Sequence, residues 1–170
     1  LTKAEQNNGD NSSIVWLWKL DASIKKAEQL LLDRNYDEAE EAYKDAIEAN
    51  PKHFYLNDAL RHIQYVKNTD SLTLRKQYEQ VLGTYSIKGN ELKRNFWLKD
   101  GRLMYKRDGL PSKELLPISE TRYINMSELR VNYEFEIKDG QVHASFAWFF
   151  NPEEMAGEEY NPELNYLYQE

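Results

Sequence analysis

The chain lacks cysteine altogether, which excludes disulfide bonds, thiol catalysis and thiolate metal ligands. It also lacks any run of basic residues, and its formal net charge is −7. Binding to nucleic acid or to an anionic membrane surface draws mainly on Lys and Arg, so both partners are disfavoured. No apolar stretch approaches the roughly 20 residues that a transmembrane helix needs, and no signal peptide is recognisable. Because the first residue is Leu1 rather than Met, we expect a processed or excised piece of a longer protein.

Aromatic residues are abundant but unevenly distributed along the 170 residues of the chain. There are 12 Tyr, 6 Phe and 4 Trp, sparse before Asp70 and dense from Tyr78 onward. Hydrophobic residues make up 41% and charged residues 30%, which is typical of a globular protein. The length suits one ordinary domain or two small ones. The uneven aromatic content predicts two segments with different cores.

Apolar residues recur at three- and four-residue spacing in the first part of the chain, a period that predicts amphipathic helices. The pattern predicts helices over residues 21–32, 36–50 and 54–67, and a short connecting helix over 72–80. Pro51 ends the second of these helices, since the residue before a proline is driven out of the helical region. Residues 1–13 are polar and have nothing to bury, so we expect a disordered arm there.

From Val81 the hydrophobic period changes from about 3.6 to 2, which predicts strands. Two Asp-Gly pairs stand between alternating runs, which is the strongest short-range signal for a β-hairpin. The pair at Asp100 separates predicted strands at residues 95–99 and 102–107, and the pair at Asp139 separates predicted strands at 130–138 and 141–150. Two further short strands are expected at residues 113–117 and 121–125. The result is a meander of about six or seven strands, which must curl or pack on helices to bury its aromatic face.

The sequence therefore predicts an α+β fold, with an N-terminal helical hairpin followed by an antiparallel β-meander or half-barrel. The predicted divisions are the arm at 1–13, a helical region at 14–72, a β domain at 73–150 and an acidic tail at 151–170. Asn-Pro-Glu, a helix-start pattern, occurs twice in the tail, at Asn151 and Asn161. We expect the tail to form short helical turns that dock on the β domain.

Small residues, one aromatic residue and a proline in the helical region occupy the spacing of a tetratricopeptide repeat. They are Ala27, Ala39, Tyr43, Ala46 and Pro51. Residues 20–53 therefore resemble one such repeat, although Ser23, Leu30 and Arg34 depart from its pattern, Arg34 standing where Gly is common. A generic helical hairpin is the alternative. Because three or more repeats are normally needed for stability, the resemblance implies that this region leans on the β domain.

Several short motifs follow one another through residues 74–150. They are Tyr78 with Gly83-Thr84-Tyr85, then Lys99-Asp100-Gly101-Arg102-Leu103, then Leu115-Leu116-Pro117-Ile118-Ser119 before Tyr123, and last Lys138-Asp139-Gly140-Gln141-Val142. Together they resemble the lipocalin-like C-terminal β domain of bacterial serine hydrolases of the β-lactamase and penicillin-binding-protein class. The resemblance implies an accessory module whose protein partner is a serine hydrolase domain. It also implies a periplasmic or extracellular location, with a cytoplasmic location as the alternative.

Hydrolases of that class use Ser-x-x-Lys, then Tyr-x-Asn or Ser-x-Asn, then Lys-Thr-Gly or a relative of it. Ser23 and Lys26 match the first string, and Tyr55 and Tyr123 begin matches to the second, but no Lys-Thr-Gly is present. The Lys-Asp-Gly triplets are explained by hairpin turns. We therefore predict that the chain is not an enzyme, has no catalytic residues and needs no cofactor.

The titratable residues do not predict a metal site. His53, His62 and His143 have no ligand spacing among them. The acidic runs in the second predicted helix and in the tail lack the spacing and central glycine of a calcium-binding loop. These carboxylates are predicted to form solvated faces.

Eight aromatic residues form the candidate ligand or partner surface. They are Trp16, Trp18, Phe96, Tyr105, Tyr133, Phe135, Phe146 and Trp148. A curled sheet with an aromatic interior can hold a small apolar or sugar-like ligand, but the same rings can also form the filled core of a small domain. The first hypothesis is a non-catalytic module that docks on a larger protein, and the second is a small-ligand binder. A hydrolase with an unrecognised site is the third.

Overall fold

The computed structural model describes residues 22–53, 55–87, 89, 91–125, 128–148 and 166–170. Contacts divide the chain into two compact units, Leu1–Ile63 and Gln64–Glu170, which we call the helical unit and the barrel unit. The division falls inside the third helix, earlier in the chain than the predicted boundary at residue 72. The combination of helices with an antiparallel barrel confirms the α+β class.

The helical unit contains α1 at residues 22–32, α2 at Tyr36–Ala49 and the first part of α3, which spans Leu56–Lys67. Its core combines small side chains with a few large ones, all completely buried. They are Ala27, Leu31, Ala39, Tyr43, Ala46, Leu56, Ala59 and Ile63. Small side chains at a helix contact shorten the distance between the helix axes. The tetratricopeptide resemblance rests partly on these same alanines and stays a prediction.

A tight turn separates α1 from α2. Arg34 has a φ of 61°, in the left-handed region that glycine usually occupies at the end of a helix. This conformation lets the Asn35 N–H donate to the Leu30 carbonyl at 3.0 Å, which satisfies a backbone acceptor at the end of α1. Arg34, one of the three residues that depart from the repeat pattern, thus makes the turn.

The barrel unit contains eight strands. They are β1 Gly83–Ile87, β2 Lys93–Lys99, β3 Arg102–Arg107, β4 Lys113–Pro117, β5 Arg122–Asn125, β6 Glu128–Lys138, β7 Gln141–Trp148 and β8 Tyr166–Gln169. Each strand pairs antiparallel with the next, and β8 pairs with both β7 and β1, so the sheet closes into a barrel. Closure removes the exposed strand edges that an open meander would leave.

The last strand corrects the predictions made for the end of the chain. The barrel has eight strands rather than six or seven, and residues 166–169 form β8 rather than helical turns. The physical reason is pairing on two sides: the buried Leu167 stands opposite Ile87 on β1 and Ala144 on β7. A helical turn here would leave both edges unpaired. Residues 151–165, which contain both Asn-Pro-Glu triplets, lie outside the described residues.

Both predicted hairpin turns are confirmed. Asp100 and Gly101 have φ angles of 51° and 74°, and Asp139 and Gly140 have φ angles of 53° and 78°. Positive φ at both central residues gives a two-residue turn whose twist matches that of the flanking strands. These turns fix the registers of β2 with β3 and of β6 with β7.

A fourth helix, α4 at Ser71–Gln80, precedes β1 in the barrel unit. Asp70 caps α4, accepting hydrogen bonds from the Thr73 hydroxyl at 2.6 Å and from the Thr73 backbone N–H at 3.0 Å. Further along, Gln77 Nε2 donates to the Ser119 carbonyl at 2.8 Å, in the turn between β4 and β5. We call this end of the barrel, with its β2–β3, β4–β5 and β6–β7 turns, the helix end. The opposite end, where β1 joins β2 and β3 joins β4, is the arginine end.

Candidate ligand site

The middle of the barrel is filled by aromatic rings. Phe96 on β2 lies at the centre of the group, with its ring centroid 5.0 Å from that of Tyr85, 5.3 Å from Tyr105 and 5.3 Å from Phe135. The Tyr133 ring is 6.0 Å away. All five side chains are buried, and most of the ring pairs are edge-to-face, which is a favourable geometry. Aromatic rings therefore fill this central layer of the barrel.

Tyrosine hydroxyls at the helix end are bound to other parts of the fold. Tyr85 donates to the Val81 carbonyl at 3.1 Å. Tyr123 accepts from Gln77 Nε2 at 2.9 Å, and Tyr65 donates to Gln77 Oε1 at 2.9 Å. Burial raises the pKa of both Tyr85 and Tyr123, so they stay protonated. These hydroxyls hold α4 and the start of β1 in place.

The arginine end has a different set of polar groups. The Tyr105 and Tyr133 rings lie 5.1 Å apart, and the Phe146 ring is 5.9 Å from that of Tyr133. The Tyr133 hydroxyl interacts with the side chains of Tyr105 and Arg94. Burial is the main cause that raises the pKa of Tyr133, and the nearby Tyr105 adds to it, while Arg94 acts in the opposite direction. Tyr133 is therefore a neutral hydrogen-bond donor inside the barrel.

Arg94 is the unusual residue of this end. It lies on β2 two residues before Phe96 and so faces the same side of the strand, and it is only 4% exposed. Its Cζ lies 4.7 Å from the centroid of the Phe146 ring, which is a cation–π contact. The Nε and Nη1 atoms are buried, and neither has a hydrogen-bond partner among the residues that the structure describes. Both atoms are N–H donors of a guanidinium, which carries a positive charge.

A second arginine stands directly beside it. Arg107 on β3 is the register partner of Arg94, and opposed residues of an antiparallel pair share one face of the sheet. Arg107 is half-buried, and it follows Tyr105 by two positions on that same face. Like charges in such a pair repel each other. Among the residues that the structure describes, no carboxylate forms an ion pair with either arginine.

Five of the predicted surface residues come together in the barrel. They are Phe96, Tyr105, Tyr133, Phe135 and Phe146. Trp148 is at the end of β7, in register with Val131, and its side chain is outside the described residues, as are Trp16 and Trp18. Arg94 was missed because the strand was predicted to begin at residue 95, which left a charged residue in the preceding loop. The signal that could have identified Arg94 is its spacing of two residues from Phe96, since residues two apart on a strand lie on the same face.

The residues that match serine-hydrolase motifs lie outside the candidate ligand site. Ser23 and Lys26 line a groove of 520 Å³ in the helical unit, together with Leu30 and the side chains of α2. The α2 lining is mostly acidic and comprises Asp37, Glu38, Glu41, Ala42 and Asp45. Tyr123 belongs to the barrel unit, where its hydroxyl binds Gln77. Asp37, Glu38, Glu41 and Asp45 are exposed, as expected for a solvated helix face.

The histidines make separate local contacts. His53 Nδ1 lies 2.6 Å from the Tyr55 hydroxyl, the His62 ring packs edge-on against Tyr36, and the His143 ring packs against Tyr168. In the part of the chain that the structure describes, no group of three or more His, Asp or Glu side chains is placed to hold a metal ion. None of the described helices combines the length and the apolar character needed to span a membrane.

Fold and site define an α+β protein with a closed, antiparallel eight-stranded barrel that has a buried arginine at one end. No protein-family model matches the chain, and searches of the curated proteins and of the solved structures gave no match.

Proposed function

We propose that this protein is a non-catalytic binding module and that its barrel binds a small ligand at the arginine end. One observation carries the proposal. The buried Gln77 and Tyr85 side chains of the helix end hydrogen-bond to backbone carbonyls, whereas Arg94 at the other end has two nitrogens without a hydrogen-bond partner in the described part of the chain. Donors without an internal hydrogen-bond partner are available to a ligand, and convergent polar groups among aromatic side chains are typical of binding sites.

The aromatic centre limits where a ligand can bind. Phe96 and Phe135, with ring centroids 5.3 Å apart, occupy the middle of the barrel, so a ligand contacts only the layer of Tyr105, Tyr133 and Phe146. This layer is close to the β1–β2 and β3–β4 connections. A ligand of that site is therefore small, with an apolar or aromatic body that packs on the rings.

A nuclear magnetic resonance titration of the ¹⁵N-labelled full chain tests this function. The probes are benzyl alcohol, benzamide and benzoate, which share a ring and differ in the polar group. We expect at least one probe to shift the amide signals of Tyr105, Tyr133 and Phe146 while those of Gln77 and Tyr123 at the helix end stay unchanged. Shifts confined to the helix end, or none with any probe at millimolar concentration, would refute the proposal.

Docking on a serine hydrolase domain is the second candidate function, and it also implies export beyond the inner membrane. The observation that favours it is the exposure of Leu92 and Leu110, at 38% and 45%, on the two connections of the arginine end. Neighbouring exposed leucines are more typical of an interface than of a solvated loop.

The docking function is tested with the hydrolase domain encoded by the same reading frame, if the parent gene contains one. We expect Leu92→Ser with Leu110→Ser to weaken its binding to this chain, measured by calorimetry. The control is Leu72→Ser on α4, where the side chain is 59% exposed. Equal effects of the two changes, or no binding by the unmodified chain, would rule out docking through these leucines.

A further inference from the structure

We propose that the ligand of the arginine end carries a carboxylate, which the guanidinium of Arg94 holds in the barrel. This inference rests on the proposed ligand-binding function and specifies its chemistry. An isolated buried charge is strongly unfavourable, so buried cations in folded proteins are normally paired with an anion. Arg94 is 4% exposed, and within the described ranges its Nε and Nη1 have no hydrogen-bond partner. An anionic ligand supplies the negative charge that none of the described residues provides.

The neighbours of Arg94 increase the positive charge of the site. Arg107 lies opposite it in the register of β2 with β3, although two like charges on one face of a sheet destabilise the pair. An anion bound at this position removes the repulsion, because it attracts both guanidinium groups. Arg107 is half-buried, so it contributes mainly to the potential at the mouth of the site.

The shape and charge of a carboxylate suit these groups. A guanidinium presents its N–H donors in a plane, and a carboxylate accepts two of them in that plane. The single O–H of Tyr133, which burial keeps protonated and which interacts with Tyr105, can turn to donate to a carboxylate oxygen instead. The rest of the layer consists of aromatic surface from Tyr105 and Phe146. A dianionic phosphate would lose more hydration than a carboxylate in such surroundings.

Calorimetry with benzoate, benzamide and inorganic phosphate tests the inference on the full chain. Benzoate and benzamide have nearly the same shape, and only benzoate is charged. We expect benzoate to bind about tenfold to a hundredfold more tightly than benzamide, the range that charge-assisted hydrogen bonds provide. We expect Arg94→Met to abolish this preference. Arg102→Met, which removes an exposed arginine from β3 at the helix end, is the matched control and should leave it unchanged.

The outcomes separate this inference from the proposed function. If benzamide binds as tightly as benzoate and Arg94→Met changes nothing, the carboxylate is refuted while ligand binding stands. If phosphate binds through Arg94 and benzoate does not, the anion has been misidentified. If none of the probes binds, ligand binding at this end fails together with the carboxylate.

Thermal unfolding of the ligand-free protein gives a readout that does not depend on binding. Arg94 has no anionic partner among the described residues, and an apolar side chain at its position removes the desolvation cost of the buried charge. We therefore expect the midpoint of Arg94→Met to be higher than that of the unmodified chain. Benzoate should raise the midpoint of the unmodified chain and not that of Arg94→Met. A lower midpoint for Arg94→Met without ligand would show that the contacts of Arg94 with Tyr133 and Phe146 already compensate for its burial, and it would overturn the inference.

Two sources of the carboxylate are distinguished with peptides. N-acetylphenylalanine presents the C-terminal carboxylate of a polypeptide, and its amide lacks the charge. If the site takes a free small acid, benzoate binds more tightly than N-acetylphenylalanine because the acetamido group adds bulk at the filled layer. If N-acetylphenylalanine binds more tightly than both benzoate and its own amide, the natural ligand is a chain terminus. Either result supports the carboxylate.

Discussion

The two ends of the barrel contain similar aromatic residues but treat buried polar groups differently. At the helix end, Gln77 joins Tyr65, Ser119 and Tyr123 in one network with donor–acceptor distances of 2.8 to 2.9 Å. At the arginine end, Arg94 is more deeply buried than Gln77, at 4% exposure compared with 7%, yet two of its nitrogens have no hydrogen-bond partner among the residues described. The comparison shows that buried polar groups stabilise the helix end. It indicates that the polar groups of the arginine end are available to bind a ligand.

The largest effect is expected from removing the ring that both ends share. Phe96→Ala deletes a buried side chain in contact with four other aromatic rings, and it should lower the free energy of unfolding by about 3–5 kcal/mol. Urea unfolding followed by tryptophan fluorescence measures the change. Phe96→Leu keeps most of the volume and should cost less than about 1.5 kcal/mol. A cost for Phe96→Ala below that of Phe96→Leu would contradict a filled centre.

The helix end is broken by Gln77→Leu. The substitution leaves the Tyr123 hydroxyl and the Ser119 carbonyl without their donor, and Tyr65 without its acceptor. We expect a loss of about 2–3 kcal/mol in the free energy of unfolding, since unsatisfied buried groups retain their desolvation cost. Gln80→Leu, at the exposed end of α4, should be nearly neutral in the same measurement. Similar costs for the two variants would mean that the network does not anchor α4.

Smaller changes in the free energy of unfolding are expected when a single tyrosine hydroxyl is removed from each of the two units. Tyr43 in the helical unit is completely buried, and its hydroxyl has no hydrogen-bond partner in the part of that unit that the structure describes. Burial and the charge of Glu28 raise its pKa. Tyr43→Phe should therefore raise the free energy of unfolding by about 1 kcal/mol. Tyr123→Phe, which deletes a partner of Gln77, should lower it by about 1 kcal/mol. Changes of the same sign would show that partner geometry does not control these energies.

The sequence predicted the local features of the barrel and missed a non-local one. The turns at Asp100 and Asp139 were recognised because an Asp-Gly pair specifies its turn through its own backbone preferences. Strand β8 was missed because nothing within residues 166–169 specifies pairing with β1 and β7, which precede it by many positions. Only the closed barrel creates that pairing.

The candidate site was predicted in its aromatic part and not in its charged part. Apolar residues alternate with polar ones within each predicted strand, and this period of 2 is visible in the sequence. It led us to expect one inner face that contains Phe96, Tyr105 and Tyr133. Arg94 has the same period, but a charged residue at the start of a strand is normally solvated. Its burial becomes visible only when β2 is extended to Lys93 and placed beside β3.

The smallest predicted effect concerns the first turn of α4, which supports the helix end. Hydrogen bonds from the Thr73 hydroxyl and backbone N–H lower the pKa of the Asp70 carboxyl below its ordinary value of 3.8. Because the folded-state pKa is lower than the unfolded one, the capping contribution is complete above pH 3.8 and is lost as the pH falls through the folded value. Asp70→Asn keeps a capping side chain that does not titrate. The unmodified chain should therefore lose stability relative to Asp70→Asn only below that pH in urea unfolding, and a difference that grows towards neutral pH would contradict the assignment of the cap.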